Sequence, residues 1–297
     1  MGVHQREYLR KPHWLAKRII YTAERREVNT ILHNLGLNTV CKSARCPNLS
    51  ECYSCGRATF LILGNKCTRG CTFCSIEKAG KGVRLPLDEG EPDRIVKAVK
   101  ALGLKYVVIT SVTRDDLKDG GAVQFVRTIE KIKECDNRIK IEVLTPDFQG
   151  NKKWVDAVAR AHPDVYNHNV ETVPRLYAAV RPGADYRRSV DLLSHVHTHY
   201  PGIFLKSGFM VGLGETEGEV RNVLKDLRAA GCDAVTIGQY LRPGYWNIPV
   251  HEYIFPEKFD EYKKISKELG FRYVAAGPYV RSSYMADEGY RNLSKGM

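Results

Sequence analysis

Residues 58–76 decide the fold, and they read A-T-F-L-I-L-G-N-K-C-T-R-G-C-T-F-C-S-I. The first part is apolar and predicts a buried strand, and the second part predicts a loop with three cysteines. The spacing C-x3-C-x2-C places them at Cys67, Cys71 and Cys74. A four-iron cluster usually takes four thiolates, so three would leave one iron open for chemistry. A zinc knuckle or an ordinary ferredoxin-type site is the alternative interpretation of this loop.

An aromatic residue beside the last cysteine narrows the interpretation. Phe73 gives the loop the pattern C-x3-C-x-aromatic-C after a strand, which resembles the radical S-adenosylmethionine (SAM) superfamily. The resemblance implies a four-iron cluster on Cys67, Cys71 and Cys74, with the amine and carboxylate of SAM filling the open iron. It also implies a partial barrel of six strand–helix units, which is shorter than the eight units of a full TIM barrel.

A second group of cysteines precedes the strand. It reads C-K-S-A-R-C-P-N-L-S-E-C, with Cys41, Cys46 and Cys52 spaced C-x4-C-x5-C, and Cys55 follows. Four cysteines would suit a tetrahedral zinc site, although these spacings are wider than the usual C-x2-C of zinc knuckles. The other interpretation is a second iron–sulfur cluster that uses three of these thiols, in a loop that contains Pro47.

Together, the two groups of cysteines are similar to the lipoyl synthase family. The shared segments are C-x4-C-P-N-x2-E-C, A-T-F-x-I-L-G and C-T-R-x-C-x-F-C, and the resemblance continues to the C-terminus. It implies two 4Fe-4S clusters, of which the one on the C-x3-C-x2-C loop cleaves SAM. The other is an auxiliary cluster that is consumed as the sulfur donor, and its implied cysteine ligands are Cys41, Cys46 and Cys52. Cys55 is not part of the family pattern.

The C-terminal tail carries the sequence R-S-S-Y at residues 281–284. In the family that the chain resembles, a serine of this motif supplies the fourth ligand of the auxiliary cluster, which implies Ser283 here and Ser282 as the second choice. Oxygen is a weaker ligand than thiolate for a soft iron site, which suits a cluster that must come apart. The tail is therefore expected to pack over the N-terminal cysteines.

The resemblance also implies the activity, which is that of a sulfurtransferase. Sulfur enters at carbons 6 and 8 of an octanoyl chain on a lysine of a lipoyl carrier domain, and one SAM is used for each sulfur. The implied partners are the glycine cleavage H protein, the acyltransferase subunits of 2-oxoacid dehydrogenases, and flavodoxin or ferredoxin as electron donor. Two other hypotheses are a methylthiolating or biotin-synthase-like radical SAM enzyme, and a non-enzymatic zinc or electron-transfer protein that binds nucleic acid.

Composition limits the classes of protein that fit. The chain has 297 residues, nine cysteines and a net charge of +12. Cysteines without an export signal indicate metal binding in the reducing cytoplasm rather than disulfides. No apolar run approaches the roughly 18 residues of a membrane span. The positive charge favours an acidic protein partner, and because no block of basic residues is interleaved with aromatic residues, neither nucleic acid nor a membrane is expected as a partner.

Downstream of Ser75, the hydrophobic pattern alternates between helix and strand. Apolar stripes predict helices over residues 92–103, 123–132, 152–161, 187–199, 220–227 and 257–269. Apolar runs predict buried parallel strands over residues 106–111, 139–144, 164–170, 204–211 and 233–237. With the strand before the cysteines there are six units, so the sequence predicts an α/β protein with a partial (β/α)6 TIM-type barrel. The predicted parts are an N-terminal extension (1–57), the barrel (58–276) and the tail (277–297), and two short helices are expected within residues 1–40 of the extension.

Polar side chains cluster where several of these strands end, which is where the active sites of barrels lie. Alternation along one strand places Asn167, Asn169 and Glu171 on the same face, and such groups need partners when they are buried. Ribose hydroxyls or the methionine amine of SAM would serve. The residues that we expect to contact SAM or to order its site, from their match to the family's segments, are Thr110, Ser111, Asn169, Glu171, Lys206 and Gln239.

Two local patterns also have structural interpretations. Capping-box spacing at Thr113 and Asp116, and again at Thr216 and Glu219, predicts the start of a helix. The sequence G-L-G at 212–214 lacks the third glycine of a dinucleotide-binding loop. We expect these glycines to let the backbone approach a cofactor closely.

Overall fold

The computed structural model of the chain describes residues 9–80, 83 and 85–295. In that part of the chain, the strands are β1 (Thr59–Ile62), β2 (Lys66–Cys67), β3 (Glu77–Lys78), β4 (Tyr106–Ser111), β5 (Lys140–Leu144), β6 (Val165–Asn167), β7 (Phe204–Val211), β8 (Ala234–Gln239) and β9 (Tyr273–Gly277). All of them except β2 and β3 form one sheet in sequence order, and every neighbouring pair is parallel. The short strands β2 and β3 pair with each other.

Helices separate most of the strands of the main sheet. The α-helices of the described residues are α1 (Ala23–Asn34), α2 (Val40–Ser43), α3 (Leu49–Ser54), α4 (Glu91–Ala101), α5 (Ala122–Cys135), α6 (Lys152–Arg160), α7 (Tyr177–Val180), α8 (Tyr186–His199), α9 (Glu217–Ala229), α10 (Pro256–Glu268) and α11 (Ala286–Ser294). Short 3₁₀ helices occupy His13–Leu15, Phe148–Gly150 and Pro174–Leu176. No helix in the described ranges has the length and apolar character that crossing a membrane requires.

The two faces of the sheet differ in polarity because side chains alternate along each strand. One face is apolar: Ile109 and Ile141 are fully buried in the same cluster as Ile95 of α4 and Ile129 of α5. The other face lines the interior of the barrel and includes a buried ion pair, in which Lys206 Nζ lies 2.9 Å from Glu142 Oε1. Packing of the helices against the apolar outer face of the sheet therefore stabilises the fold, while the inner face carries polar groups.

The predicted partial barrel is confirmed, with one strand more than expected. The sequence R-Y-V-A-A-G contains β9, which pairs with β8 from Ala234–Tyr273 to Gly238–Gly277. This strand begins shortly after α10 ends, and three of its five residues, Ala275, Ala276 and Gly277, are too small to make a strong apolar pattern. The N-terminal prediction was also partly wrong, because a 3₁₀ turn precedes one helix, α1. The first eight positions of that extension lie outside the described residues, and the proposed domain boundaries stay a prediction.

The terminal segments cover the β1 edge of the sheet and the amino ends of its strands. The residues before α2 pair with the free edge of β1, where Leu61 N–H donates to Asn38 O at 2.9 Å. At the amino ends of the strands, Leu293 of α11 packs against Val165, Phe204 and Ala234. Helix α11 thus closes the floor of the barrel at the amino ends of the strands.

Candidate active site

The carboxyl ends of the parallel strands surround a cavity of about 460 Å³. Most of the predicted site residues lie on its wall: Cys67, Cys71, Cys74, Thr110, Ser111, Asn169 and Glu171. The cavity is therefore at the end of the barrel where the sequence placed it. It is also partly apolar, with Leu61, Leu144, Phe209 and Met210 among the lining residues.

The loop that carries Cys67, Cys71 and Cys74 is held by the segment that follows β4. Thr68 N–H and Thr68 Oγ1 both donate to the Thr113 carbonyl oxygen, at 3.0 and 2.9 Å. Thr113 N–H lies 3.3 Å from Cys67 Sγ, and Ile76 N–H lies 3.5 Å from Cys74 Sγ. Backbone N–H groups aimed at sulfur favour the charged thiolate, which is the form that binds metal.

Burial acts in the opposite direction on the thiols of Cys71 and Cys74. It raises the pKa of Cys74 to about 12, an effect increased by the neighbouring thiols of Cys71 and Cys67. It also raises the pKa of Cys71, although the nearby positive charge of Arg181 opposes the rise. Cys71 and Cys74, whose charged forms are disfavoured by burial and by neighbouring thiols, need a cationic partner to ionise. An iron cluster supplies such a partner, so the residues present fit the group that the sequence implies.

Arg69 fixes the same loop from its centre. Its guanidinium lies 2.7 Å from Asp115 Oδ2 and 2.5 Å from Asp147 Oδ1, and its side chain is only 7% exposed. Asp147 is buried, which disfavours its charge, but the hydrogen bonds and charge of Arg69 hold the pKa of Asp147 well below its ordinary value. This charged contact crosses from the cysteine loop to the residues after β5, and the sequence reasoning missed it.

Removing the Arg69 contacts should weaken the first cluster site. We expect Arg69→Met to reduce iron retention at Cys67, Cys71 and Cys74 by about 10–100-fold, as loss of the groups that orient metal ligands does. The measurement is the rate of iron release to a chelator without oxygen. Arg138→Met is the matched control, because Arg138 pairs with Asp136 on the surface and is 83% exposed. Equal release rates in the two variants would contradict this role of Arg69.

Predicted cofactor-binding residues and an unpredicted arginine meet after β6. Asn169 Nδ2 donates to Glu171 Oε1 at 3.1 Å, and Arg181 donates to the Asn169 carbonyl oxygen at 2.9 Å. Burial raises the pKa of Glu171, and the charge of Arg181 opposes that rise. Glu171 has a φ of 65°, a left-handed conformation that is rare for this residue and recurs at functional sites.

Two buried polar atoms of the cavity wall have no hydrogen-bond partner among the described residues. They are Ser111 Oγ and Arg181 Nε. Buried polar groups without partners are rare in proteins and often face a ligand. Thr110 is different, because its hydroxyl donates to Leu144 O at 3.0 Å. A ligand with amine, carboxylate and hydroxyl groups, such as SAM, would satisfy the atoms that are left.

The structure does not bring Lys206 and Gln239 to the wall of this cavity. Lys206 is buried in the barrel against Glu142. Gln239 is fully buried and holds a loop instead, since its Oε1 accepts from Ile254 N–H at 2.8 Å and its Nε2 donates to Glu252 O at 3.0 Å. The same loop explains Gly212, where a Cβ would lie 2.5 Å from Glu252 O at a φ of +94°. The predicted close approach at this glycine is therefore to protein, which corrects our expectation of a cofactor.

The two predicted capping boxes had different outcomes. The one at Thr216 and Glu219 is present and begins α9. The one at Thr113 and Asp116 was wrong, because no helix begins there: Asp116 instead binds the guanidinium of Arg114 at 2.8 Å. The segment instead holds the cysteine loop through the contacts of Thr113 with Thr68.

The second group of cysteines borders both this cavity and a second cavity of about 430 Å³. Cys41, Cys46 and Ser283 line both cavities, and Cys52 lines the second. Burial raises the pKa of Cys41 to about 11 and that of Cys52 to about 12, with the neighbouring thiols adding to the rise. All nine cysteines are free thiols. In the described ranges, no three His, Cys, Asp or Glu side chains converge around the position of one metal ion.

The tail packs over the N-terminal cysteines, as predicted. Asn48 Nδ2 donates to Tyr279 O at 2.7 Å, and Tyr284 OH donates to Glu51 Oε1 at 2.7 Å. Ser282 Oγ is engaged by two side-chain amides, at 2.8 and 2.9 Å. Within the described part of the chain, Ser283 makes no side-chain hydrogen bond and faces both cavities. The geometry is thus compatible with Ser283, rather than Ser282, as the oxygen ligand.

A buried histidine next to the cavity should make stability depend on pH. His168 Nδ1 lies 2.8 Å from Thr145 O, and Nε2 lies 3.0 Å from Ser189 Oγ, which suits a neutral ring. Burial, helped by the charge of Arg181, lowers the pKa of His168 to about 4 from its ordinary 6.5. Below pH 6.5 the unfolded chain therefore binds a proton that the folded chain excludes, and stability falls.

We expect the free energy of unfolding of the metal-free protein to lose about 2–3 kcal/mol from His168 between pH 6.5 and pH 4.5. Urea unfolding at both pH values measures the loss. His168→Asn removes the titrating ring, so its stability should depend less on pH than that of the wild type. The same pH dependence in both proteins would contradict the assignment.

Comparison with known proteins agrees with this geometry. The model of the Radical SAM superfamily matches residues 61–238. A lipoyl synthase from Caldanaerobacter subterraneus subsp. tengcongensis is 54% identical over 97% of this chain and 99% of that protein. A lipoyl synthase from Chlorobium limicola is 50% identical over 95% of this chain and 96% of that protein. Among solved structures, methylornithine synthase (PylB) matches with a TM-score of 0.53 and 14% sequence identity. The match covers 93% of this chain and 94% of that chain, and it shows similarity of fold alone. The cysteine loop on a partial barrel and these near-complete matches lead to one conclusion, that the chain belongs to the lipoyl synthase family of the radical SAM superfamily.

Proposed function

We propose that this protein inserts two sulfur atoms into a protein-bound octanoyl chain, at carbons 6 and 8, to give the lipoyl group. The observation that carries the proposal is that both groups of cysteines border one cavity, together with Ser283 of the tail. One group alone would suit many radical SAM enzymes. Two groups on one wall would let a substrate carbon be activated and receive sulfur without leaving the site.

The cavity suits SAM and the octanoyl chain, which this reaction needs together. Its volume of about 460 Å³ lies within the range of small-molecule sites. Polar atoms of Ser111, Asn169 and Glu171 would bind SAM on one side. Apolar side chains, including Leu61, Leu144 and Met210, would bury the alkyl chain and exclude water. The chain's own residues thus bind and orient, while the reactive groups come from cofactors.

The proposed cofactors are two 4Fe-4S clusters and two SAM molecules for each lipoyl group. Cys67, Cys71 and Cys74 would hold one cluster, and Cys41, Cys46, Cys52 and Ser283 would hold the auxiliary one. When bound, the first cluster supplies the electron that splits SAM into methionine and a radical able to remove hydrogen, and the auxiliary cluster supplies sulfur. The serine would be the ligand that is replaced most easily, since oxygen binds soft iron more weakly than thiolate does.

The proposed partners are acidic proteins. The chain carries a net charge of +12, and basic residues line the cavity, among them Lys11, Arg45, Lys78 and Arg242. Such a surface attracts acidic partners over long range. We propose the glycine cleavage H protein and the acyltransferase subunits of 2-oxoacid dehydrogenases as carriers of the octanoyl chain, and flavodoxin or ferredoxin as the electron donor. The cytoplasm, where thiols stay reduced, is the proposed compartment.

The test is the intact mass of an octanoylated lipoyl domain after anaerobic incubation with the reconstituted protein, SAM and dithionite. We expect a gain of two sulfur atoms, less two hydrogen atoms where the dithiolane ring has closed. An unchanged mass with 5′-deoxyadenosine still formed would reject the octanoyl substrate and favour another radical SAM reaction. An unchanged mass with neither product, from protein that is fully loaded with iron, would reject the radical SAM assignment as well.

A further inference from the structure

A buried ion pair inside the barrel takes no direct part in the site described above. Lys206 Nζ lies 2.9 Å from Glu142 Oε1, and the two side chains are 5% and 1% exposed. Glu142 also accepts from Tyr106 OH at 2.7 Å and from Asn167 Nδ2 at 2.9 Å. A buried pair of this kind contributes little net stability, because removing both charges from water offsets their attraction. Its three well-formed contacts suggest that it orders something else.

The hydrogen bonds continue from this pair to the tail. Asn167 Nδ2 donates to Ser282 Oγ at 2.8 Å, and Ser282 Oγ donates in turn to Asn169 Oδ1 at 2.9 Å. Asn169 then donates to Glu171 on the wall of the cavity, at 3.1 Å. We call Asn167, Ser282 and Asn169 the serine clasp. It joins the barrel interior, the tail and the SAM-facing side of the cavity in one chain of bonds.

The tail depends on side-chain anchors because residues 278–285 form neither helix nor strand. Two of its anchors, Tyr279 O and Tyr284 OH, are bonded to the N-terminal cysteine segment. The serine clasp connects the tail to the barrel instead. Ser283 is the next residue and borders both cavities. A shift at Ser282 would therefore move Ser283 relative to the auxiliary cysteines.

We propose that Glu142, held by Lys206, is a positioning residue that orders the serine clasp and thereby places Ser283 beside Cys41, Cys46 and Cys52. This inference rests on the proposed function only in giving Ser283 its role as a ligand. Lys206 thereby has a function as well, since this residue acts on the tail through Glu142 and not on SAM. Asn169 belongs to the clasp and to the cavity wall, so the clasp sets the tail against both cysteine groups together.

The first test uses the metal-free protein and needs no activity. We expect Glu142→Gln and Ser282→Ala each to raise the rate of amide hydrogen exchange across residues 278–285 by about tenfold or more. In these variants the tail can open without first breaking its contact with the barrel. Glu91→Gln is the matched control, because Glu91 is a buried carboxylate on α4 that accepts from Leu63 N–H at 2.9 Å. Unchanged exchange in both variants, or the same increase in the control, would overturn the proposal.

The second test uses the iron-loaded protein and measures whether the serine clasp affects the retention of auxiliary iron. Glu142→Gln and Ser282→Ala should both release the iron of the auxiliary cluster to a chelator faster than the wild type. The iron on the loop of Cys67, Cys71 and Cys74 should stay bound. The yield of lipoyl product per 5′-deoxyadenosine should fall as well. Ser283→Ala should show the same iron loss with normal exchange in the tail, which separates the ligand from its positioning residues. Normal auxiliary iron retention in both clasp variants would overturn the proposal.

The two proposals fail in different ways. If the exchange and iron results are as expected but no sulfur enters an octanoylated domain, the serine clasp holds and the substrate assignment is wrong. If sulfur enters normally in Glu142→Gln and Ser282→Ala, the enzyme assignment holds and the clasp is dispensable. Ser282→Ala also covers the case in which Glu142→Gln fails to fold, because it removes one hydroxyl and leaves no buried charge unpaired.

Discussion

Replacing Cys41, Cys46 and Cys52 together by alanine is expected to abolish sulfur insertion and to leave the cleavage of SAM intact. The three thiols are the proposed ligands of the sulfur donor, but the segment that carries them is anchored by other groups. Thr39 and Tyr53 share a hydrogen bond of 2.7 Å, and Leu61 N–H bonds to Asn38 O at 2.9 Å. The wall of the cavity should therefore persist without the thiols, and SAM should still bind and react.

Two products measure this outcome in one incubation. 5′-Deoxyadenosine reports on SAM cleavage, and the mass of the octanoylated lipoyl domain reports on sulfur. Cys55→Ala and Cys135→Ala are matched controls, because both remove a cysteine outside the two proposed ligand sets and should insert sulfur normally. Wild-type sulfur insertion by the triple variant would remove the auxiliary cluster from the proposal altogether.

Spacing along the chain was enough to predict the two cysteine groups. Ligands within one short loop must lie near each other in any fold, so C-x3-C-x2-C limits Cys67, Cys71 and Cys74 to one neighbourhood. Parallel strands add a second constraint, because their carboxyl ends meet at one end of the barrel. That constraint explains why Ser111 from one unit and Asn169 and Glu171 from another lie on one wall.

The roles of Lys206 and Gln239 could not be predicted in the same way. Both lie in strands that lead to the site, but each is held by a partner distant in sequence: Glu142 for the lysine and the Glu252 carbonyl for the glutamine. Which partner a buried polar group finds depends on register between strands and on loops that pass over them. Local sequence shows neither the register nor the path of these loops. For the same reason, the contact of Arg181 with the residues after β6 could not be predicted.

A short strand was missed for a different reason. The residues of β9 include Ala275, Ala276 and Gly277, whose small side chains give little hydrophobic pattern. The tail passes close to the neighbouring strand, β8. At Gly238 of the neighbouring strand, a Cβ would lie 3.2 Å from the Val280 carbonyl carbon and still closer to its oxygen. The weak apolar pattern of Ala275, Ala276 and Gly277 is therefore the reason why the strand could not be predicted from the sequence.

The reciprocal change, Cys71→Ala, is expected to abolish both products. Cys71 is the middle ligand of the proposed SAM-cleaving cluster and borders the same cavity as Glu171 and Arg181. With two thiols left, the loop should not retain its cluster, so SAM is not cleaved and no carbon is activated for sulfur. Bound iron should fall from about eight to about four atoms per chain, because the auxiliary site keeps its own ligands. Iron analysis and 5′-deoxyadenosine measure the two effects.

Mixing the two kinds of variant then tests whether one chain needs both sites. Cys41, Cys46 and Ser283 border the cavity that also contains Cys67, Cys71 and Cys74, so carbon activation and sulfur donation should occur within one molecule. Equal amounts of Cys71→Ala and the triple variant should therefore insert no sulfur, although each proposed cluster is present in the mixture. Sulfur insertion by the mixture would mean that the substrate receives sulfur from a second chain. Cys232→Ala is the control, because it changes a buried cysteine that is distant in sequence from both groups. It should insert sulfur alone and when it is mixed with either of the other variants.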